Sequence, residues 1–578
     1  MHLQATLRRT PLLITVALAV APAGAAAAVL PPQIHTVAGG GSCSGSVTSG
    51  GLCDNVAPTA VPIAGARSVA AIPGGGYLYI DYGNDLVREV TAAGKVITVA
   101  GTTALVNDQA IPDQTDVDGV PATKSGLDDP VAVALLSNGG FLITEYGGNR
   151  IREVSPGAPG TATITTIDGT PPVDVPPPNA AGGANPGTAG TASDELYNPT
   201  DAVPTADGGV LIADTNNDRI MKLNSWSDPT AISQIAGGGG CVDATSSCSA
   251  LQASQVQLDQ PDSVSELPGD PGTYLIAEHG SSAIRQVSAE SPTGTFSTVA
   301  GEPGSSGYSG DGGAATSAQL NQPDQVLALS GGGFLIADTG NDSIREVSPA
   351  GTISTIAGDG VRGSSGDGGE ATAAQLNGPT AVSPTIYSGI LIADNNNSVI
   401  REITVAPTSY VYFDPPVPNG TNGWFTVDPV IAVSANQGAS VSCVLDPGQA
   451  PPAYGAIVPG CTYATTVGPV TTNGSHTLWV ASENSLGDDE TPTSVTFKID
   501  TTSPTVICGK EPVFRRYQRA AKVTGTLVDS IAGPASQRLT AAVSTRKLGT
   551  RMAKVTGTNL AGLSATVECS YRVRPRRR

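Results

Sequence analysis

Between about residues 34 and 406 the chain repeats one internal spacing six times, and a unit repeated in this way must bury its apolar face against its neighbours. An acidic residue recurs as Asp81, Glu145, Asp214, Glu278, Asp338 and Asp394, at a pitch of 56 to 69 residues. Seven positions on stand Arg88, Arg152, Met221, Arg285, Arg345 and Arg401, each preceded by Val87, Ile151, Ile220, Ile284, Ile344 or Ile400. An opening proline lies 15 residues before the acid in four copies (Pro130, Pro199, Pro323, Pro379) and 17 before it at Pro261. Around these markers run short stretches of β-forming residues bounded by turn formers. In the fifth copy they are Val326–Leu329, Phe334–Asp338, Ser343–Val347 and Thr352–Ala357. Each copy therefore predicts four short antiparallel strands.

Composition supports an all-β reading. Glycine (71) and proline (45) are abundant without a Gly-X-Y period, and charged residues are only 14%, too few for helix-rich surfaces or coiled coils. Four-stranded units repeated radially make a β-propeller. The Leu-Asn-x-Pro, Ile-Ala-Asp-Thr-Gly-Asn and Ile-Arg-Glu-Val runs resemble the NHL repeat. The Gly-Asp-Gly-Gly loops around Asp311 and Asp367 resemble the inter-blade loops of secreted bacterial NHL proteins. The resemblance implies a six-bladed propeller over residues 29–406. The sixth copy ends at Arg401-Glu402-Ile403 without a fourth strand, and Ile34-His35-Thr36-Val37-Ala38-Gly39 matches the missing one. Residues 34–38 are expected to close blade six.

Upstream, Arg8 and Arg9, an apolar run over Leu12–Val20 and the small residues Ala21–Ala28 predict a signal peptide over 1–28. The chain is thus expected to be secreted or extracellular, or held non-covalently at a surface, with no membrane span. Its eight cysteines fall into sequence-local couples: Cys43–Cys53, Cys241–Cys248, Cys443–Cys461 and Cys508–Cys569. Eight cysteines allow 105 pairings, so these couples are one hypothesis among many, but none has zinc-finger spacing. After residue 406 the repeat stops. Residues 407–503, with Trp424-Phe425, Val441-Ser442-Cys443 and His476-Thr477-Leu478-Trp479, resemble a bacterial Ig-like module, which implies a Cys443–Cys461 clamp. Residues 504–573 resemble a second, smaller module closed by Cys508–Cys569, followed by a basic tail over 574–578.

Charge is unevenly placed. Residues 29–406 carry 12 Lys/Arg against 39 Asp/Glu, residues 407–503 carry 1 against 8, and residues 504–578 carry 15 against 3. The acidic body repels polyanions, whereas the last module could hold an anionic cell-wall polymer. Nucleic acid is not expected, because no aromatic stacking platform accompanies the charge.

The chemistry is sparse. A feature present in every copy serves every copy, so the repeated acids and arginines read as structural. His279, the one histidine near a repeat turn, reads the same way. No Gly-x-Ser-x-Gly elbow sits in a strand-to-helix context. No catalytic residue or cofactor is assigned, and the reading leans against an enzyme. It favours binding or adhesion, with the propeller loops facing a protein or glycan ligand and the Ig-like pair as spacer or tether. The alternative is a calcium-dependent hydrolase or lyase. Propellers of the lactonase type hold one Ca²⁺ through oxygen ligands near the channel, and Asp118, Asp311 and Asp367 are the candidate ligands here.

Overall fold

The computed structural model describes residues 31–42, 53–102, 117–169, 196–224, 232–239, 241–242, 253–288, 295–385, 389–435, 439–451, 453, 466–533 and 537–576. The expected signal peptide lies outside these residues, as do Cys43, Cys248 and Cys461. The chain divides into two units, Pro31–Val405 and one holding Ala406–Arg578.

The first unit contains six antiparallel sheets of four to five strands. Their opening strands are Ala66–Ala71, Pro130–Leu135, Asp201–Pro204, Pro261–Glu266, Gln325–Ala328 and Pro379–Pro384, hereafter sheets 1 to 6. Four of the second strands, such as Phe334–Asp338, are buried along their whole length, and the other two at all but their first residue. Successive side chains of a strand point to opposite faces, so a strand covered on both faces must be apolar throughout. In sheet 1, Tyr77 and Tyr79 pack with Leu391 and Ala393 of sheet 6, while Leu78 and Ile80 pack with Ile143 of sheet 2. Further cores join sheets 2 and 3, 3 and 4, 4 and 5, and 5 and 6.

Polar contacts follow the same succession. The turn after each second strand ends in a residue of left-handed backbone at Asp85, Asn149, Asp218, Ser282, Asp342 and Ser398. Its side chain accepts the N–H of the residue opening the next sheet. Asn149 takes Asn198, Asp218 takes Gln260, Ser282 takes Gln322 and Asp342 takes Gly378. Ser398 of sheet 6 takes Gly65 of sheet 1 at 3.2 Å, so the contacts run from the last sheet back to the first. The opening strands would otherwise present bare edges. Their N–H groups are met by neighbouring side chains instead: Val133 by Ser68, Val264 by Asp201, Val326 by Ser263 and Val382 by Gln325.

Sheet 6 takes its outer strand from the other end of the unit. Gln33–Gly39 pairs antiparallel with Val399–Thr404, Ile34 lying opposite Ile403 and Thr36 opposite Arg401. The glycine that ends each outer strand has a steric cause. Gly358 and Gly39 have φ of +91° and +89°, and a Cβ there would meet the carbonyl oxygens of Asp342 and Ser398 at 2.4 and 2.5 Å.

In the second unit, a three-stranded sheet (Ser409–Asp414, Val430–Ala435, Thr466–Pro469) and a four-stranded one share a core of Phe425, Ile431, Val433, Leu478 and Phe497. Within Gly474–Glu483, His476 is tied to Asp446 and to the carbonyl of Thr472, both at 2.7 Å. Two more three-stranded sheets share Val506, Val523, Leu527, Val555 and Tyr571. The Cys508–Cys569 disulfide links strands of these two sheets, with Cα atoms 5.5 Å apart. Cys53 and Cys443 are also disulfide-bonded. Among the described residues no helix is long and apolar enough to cross a membrane.

Candidate metal centre

The repeated acids are buried clips. Asp338 accepts the N–H of Asn321 and the amide of Asn341, both at 2.8 Å, and Arg345 at 3.2 Å. Asp394 does the same with Asn377 and Asn397, with Arg401 at 4.0 Å. Asp81 and Asp214 likewise accept the N–H of Ala64 and of Tyr197. Glu278 accepts the N–H of Asp259 and binds Arg285, and Glu145 binds Arg150 and Arg152. Burial pushes the Asp338 and Asp394 carboxyls up to about 6, against these donors.

Four of the five repeated arginines reach onward from the clip to a more exposed acid 34 positions earlier. Arg152 binds Asp118 at 2.9 Å, and Arg345 binds Asp311 and Arg401 binds Asp367, both at 2.6 Å. Arg88 binds Asp54 at 3.1 Å in the same way, a partner that lies ahead of the first copy of the repeat. The three aspartates offered as calcium ligands therefore each answer a guanidinium in a different sheet, and the structure does not bring them together. Against its partial burial, hydrogen bonds from Thr166 and Arg152 lower the Asp118 carboxyl.

The groups that do converge lie where the opening strands meet. The residue after the opening proline, or after Ala66 in sheet 1, lines a small cavity of about 30 Å³: Arg67, Val131, Thr200, Asp262, Asp324 and Thr380. That room suits one water or one ion, far short of the several hundred Å³ of a small-molecule pocket. Beside it stands His279, the residue after the acid of sheet 4. In sheets 3 and 5 this position is Thr215 or Thr339, whose hydroxyl donates to the carbonyl of the next sheet's Pro261 or Pro379. His279 instead places Nδ1 2.9 Å from Asp324 Oδ1 in the next sheet and 3.3 Å from Asp262 Oδ2 in its own. Arg67 of sheet 1 approaches Asp324 Oδ2 at 3.9 Å.

Hydrogen bonds to Asp262 and Asp324 push the His279 imidazole up to about 10, outweighing its burial. Burial pushes Asp262 up in turn. Asp201, also on the cavity wall, is raised to about 6 by burial, but its carboxylate is engaged by the N–H of Val264 and by Ser263. It holds two opening strands together.

Asp262, His279 and Asp324 offer one donor atom each, all within 4.8 Å of one another. Ligand atoms bonded at ~2.1 Å to one cation stand about 3.0 Å apart at right angles and about 3.4 Å apart at tetrahedral angles. The 2.9 and 3.3 Å separations match that range, so the donor set fits a divalent cation taking the place of the Nδ1 proton. Two carboxylates and an imidazole suit Zn²⁺ or Mn²⁺ better than the all-oxygen shell of Ca²⁺. A sequence signal existed. Only sheets 4 and 5 place aspartate after the opening proline, and only sheet 4 places histidine after the acid.

The chain matches no family model and no curated protein. Among solved structures it is similar to an auxiliary nutrient binding protein of Bacteroides thetaiotaomicron (15% identity, 64% of this chain and 76% of that one, TM-score 0.44). It is also similar to a streptogramin B lyase (13%, 61% and 96%, TM-score 0.35) and to a gluconolactonase of Xanthomonas campestris (13%, 67% and 99%, TM-score 0.38). The expectation that leaned against an enzyme is corrected by the cluster itself. It joins a histidine and two aspartates from adjacent sheets in one partly buried group of metal-ligand donors.

Proposed function

We propose that the six sheets are the blades of an NHL-type β-propeller exported from the cell, followed in sequence by two Ig-like modules, and that its axial site is catalytic. The activity is that of a divalent-cation-dependent hydrolase or lyase. The observation that carries this reading is the convergence of Asp262, His279 and Asp324 beside a cavity sized for an ion. A bound cation supplies Lewis acidity toward a substrate oxygen at the channel mouth.

The chain's own groups do the rest. Asp262 and Asp324 fix the imidazole through Nδ1, so Nε2 carries the remaining ring proton and can donate it to a substrate oxygen. Arg67, partly exposed beside Asp324, can stabilise negative charge that develops on the substrate. The cavity excludes the substrate itself, so binding falls to the loops around the mouth.

The test is a screen of the full chain against aryl esters and lactones with Zn²⁺, with Mn²⁺ and with a chelator. The reading expects turnover that the chelator abolishes and that Asp324→Asn and His279→Ala lower at least a hundredfold in variants that remain folded at the assay temperature. Turnover that survives both the chelator and these substitutions would place the chemistry elsewhere.

A further inference from the structure

Residues 504–578 hold an unanswered cationic surface, whereas the described arginines of the first unit are met by acids. The three-stranded sheet Val513–Arg515, Ser564–Arg574 and Gly549–Thr558 turns Phe514, Val555, Cys569, Tyr571 and Val573 into the core. Alternation then puts the intervening residues on the opposite face. Register sets Arg515 directly beside Arg574 on the neighbouring strand, and Arg572 between Val513 and Thr550, all exposed.

Two loops add charge at the same end. The Arg516 N–H donates to the carbonyl of Arg574, the Tyr517 N–H to that of Thr545, and the Arg516 side chain to the carbonyl of Arg546. Arg516, Arg546 and Lys547 thus join Arg515, Arg572 and Arg574. Farther along the face Lys554 lies opposite Glu568, which balances it. No carboxylate pairs with the six cations among the described residues, whereas Arg152, Arg345 and Arg401 each have two.

Like charges side by side on neighbouring strands destabilise a sheet, and an external anion relieves that repulsion. Guanidinium forks match phosphate oxygens, and a strand ladder repeats them about 5 Å across and about 7 Å along. We propose that this face binds an extended polyanion whose charges are phosphates and whose backbone carries no bases. The one exposed aromatic ring at this end, Tyr517, is covered by the Arg516 guanidinium at 4.9 Å, which leaves no platform for base stacking. Val513 and Met552 stand singly, two strands apart, and form no contiguous apolar wedge for a bilayer.

Binding of the full-length protein to immobilised long-chain polyphosphate tests this. Wild type should bind with an affinity that falls steeply with salt. Arg515→Gln/Arg572→Gln/Arg574→Gln should weaken binding at least tenfold. It should also flatten the log–log salt slope by about 2, since each of the three cations releases about 0.7 of a counterion from a single-stranded polyanion. Lys554→Gln, whose charge Glu568 already balances, should bind as wild type. Equal binding by the triple variant overturns the assignment of the face. Tighter binding to oligo-dT, or to phosphatidylglycerol vesicles, overturns the class of partner.

Discussion

Replacing Arg345 by methionine tests the reading of the repeated acid–arginine pair as architecture. Arg345 is fully buried, and its guanidinium meets Asp338 at 3.2 Å, Asp311 at 2.6 Å, the carbonyl of Ser309 at 3.2 Å and the Tyr308 ring at 5.0 Å. Methionine fills similar volume but leaves the buried Asp338 without its cation, at a cost of about 3–5 kcal/mol. The first unit spans roughly 375 residues (Pro31–Val405), and at ~2.1 cal/mol/K per residue its unfolding entropy is about 0.8 kcal/mol/K. The transition should therefore fall by about 5 °C in calorimetry of the full chain at pH 8. Below about pH 6, where Asp338 protonates, the loss should shrink. Asp311→Asn removes only the half-exposed partner and should cost under about 1 kcal/mol. If Asp311→Asn were as costly as Arg345→Met, or if Arg345→Met melted within a degree of wild type, the buried-clip account would be wrong.

Asp201, Asp338 and Asp394, raised to about 6 in the fold against 3.8, stabilise most below about pH 4 and lose that contribution as pH rises through 6. The first unit should accordingly melt higher at pH 5 than at pH 8, and a higher melting temperature at pH 8 would reverse the sign of the argument. The Cys508–Cys569 bridge spans 61 residues, so the double serine variant should lose ~4 kcal/mol in its own module. A denaturant midpoint for that module that does not move would contradict this. A chain starting at residue 42 lacks the strand that covers Val399–Thr404. It should aggregate through that edge, and a monodisperse, unchanged melt would speak against the pairing.

What could be read from the sequence was what repeats. The acid, the arginine seven residues on and the glycine ending each outer strand recur because every sheet must bury both faces and satisfy the same turn, so periodicity revealed them and their architectural role together. Asp54 marks the limit of periodicity. Its 34-residue spacing to Arg88 matches Asp118, Asp311 and Asp367, but it lies ahead of the first recognisable strand. The Asp262–His279–Asp324 cluster was hidden for the opposite reason. Asp262, His279 and Asp324 occupy positions where the other copies carry Arg, Thr, Val, Tyr or Asn, and a repeat pattern built on sameness averages such departures away. His279 and Asp324 are also 45 residues apart, in different sheets. Only the packing of sheet 4 against sheet 5 brings an imidazole to a carboxylate, so the oxygen ligands legible in the sequence were those of the loops.

Titration of the metal-free full chain with Zn²⁺ and Mn²⁺ in a calorimeter, beside Asp324→Asn and His279→Ala, addresses the axial site most directly. The account predicts one cation per chain in the wild type and affinity lowered at least a hundredfold in each variant, with each metal-free variant still folded at the temperature of the titration. A wild-type chain that takes up neither cation, or variants that bind as tightly as wild type, would contradict a metal centre formed by Asp262, His279 and Asp324.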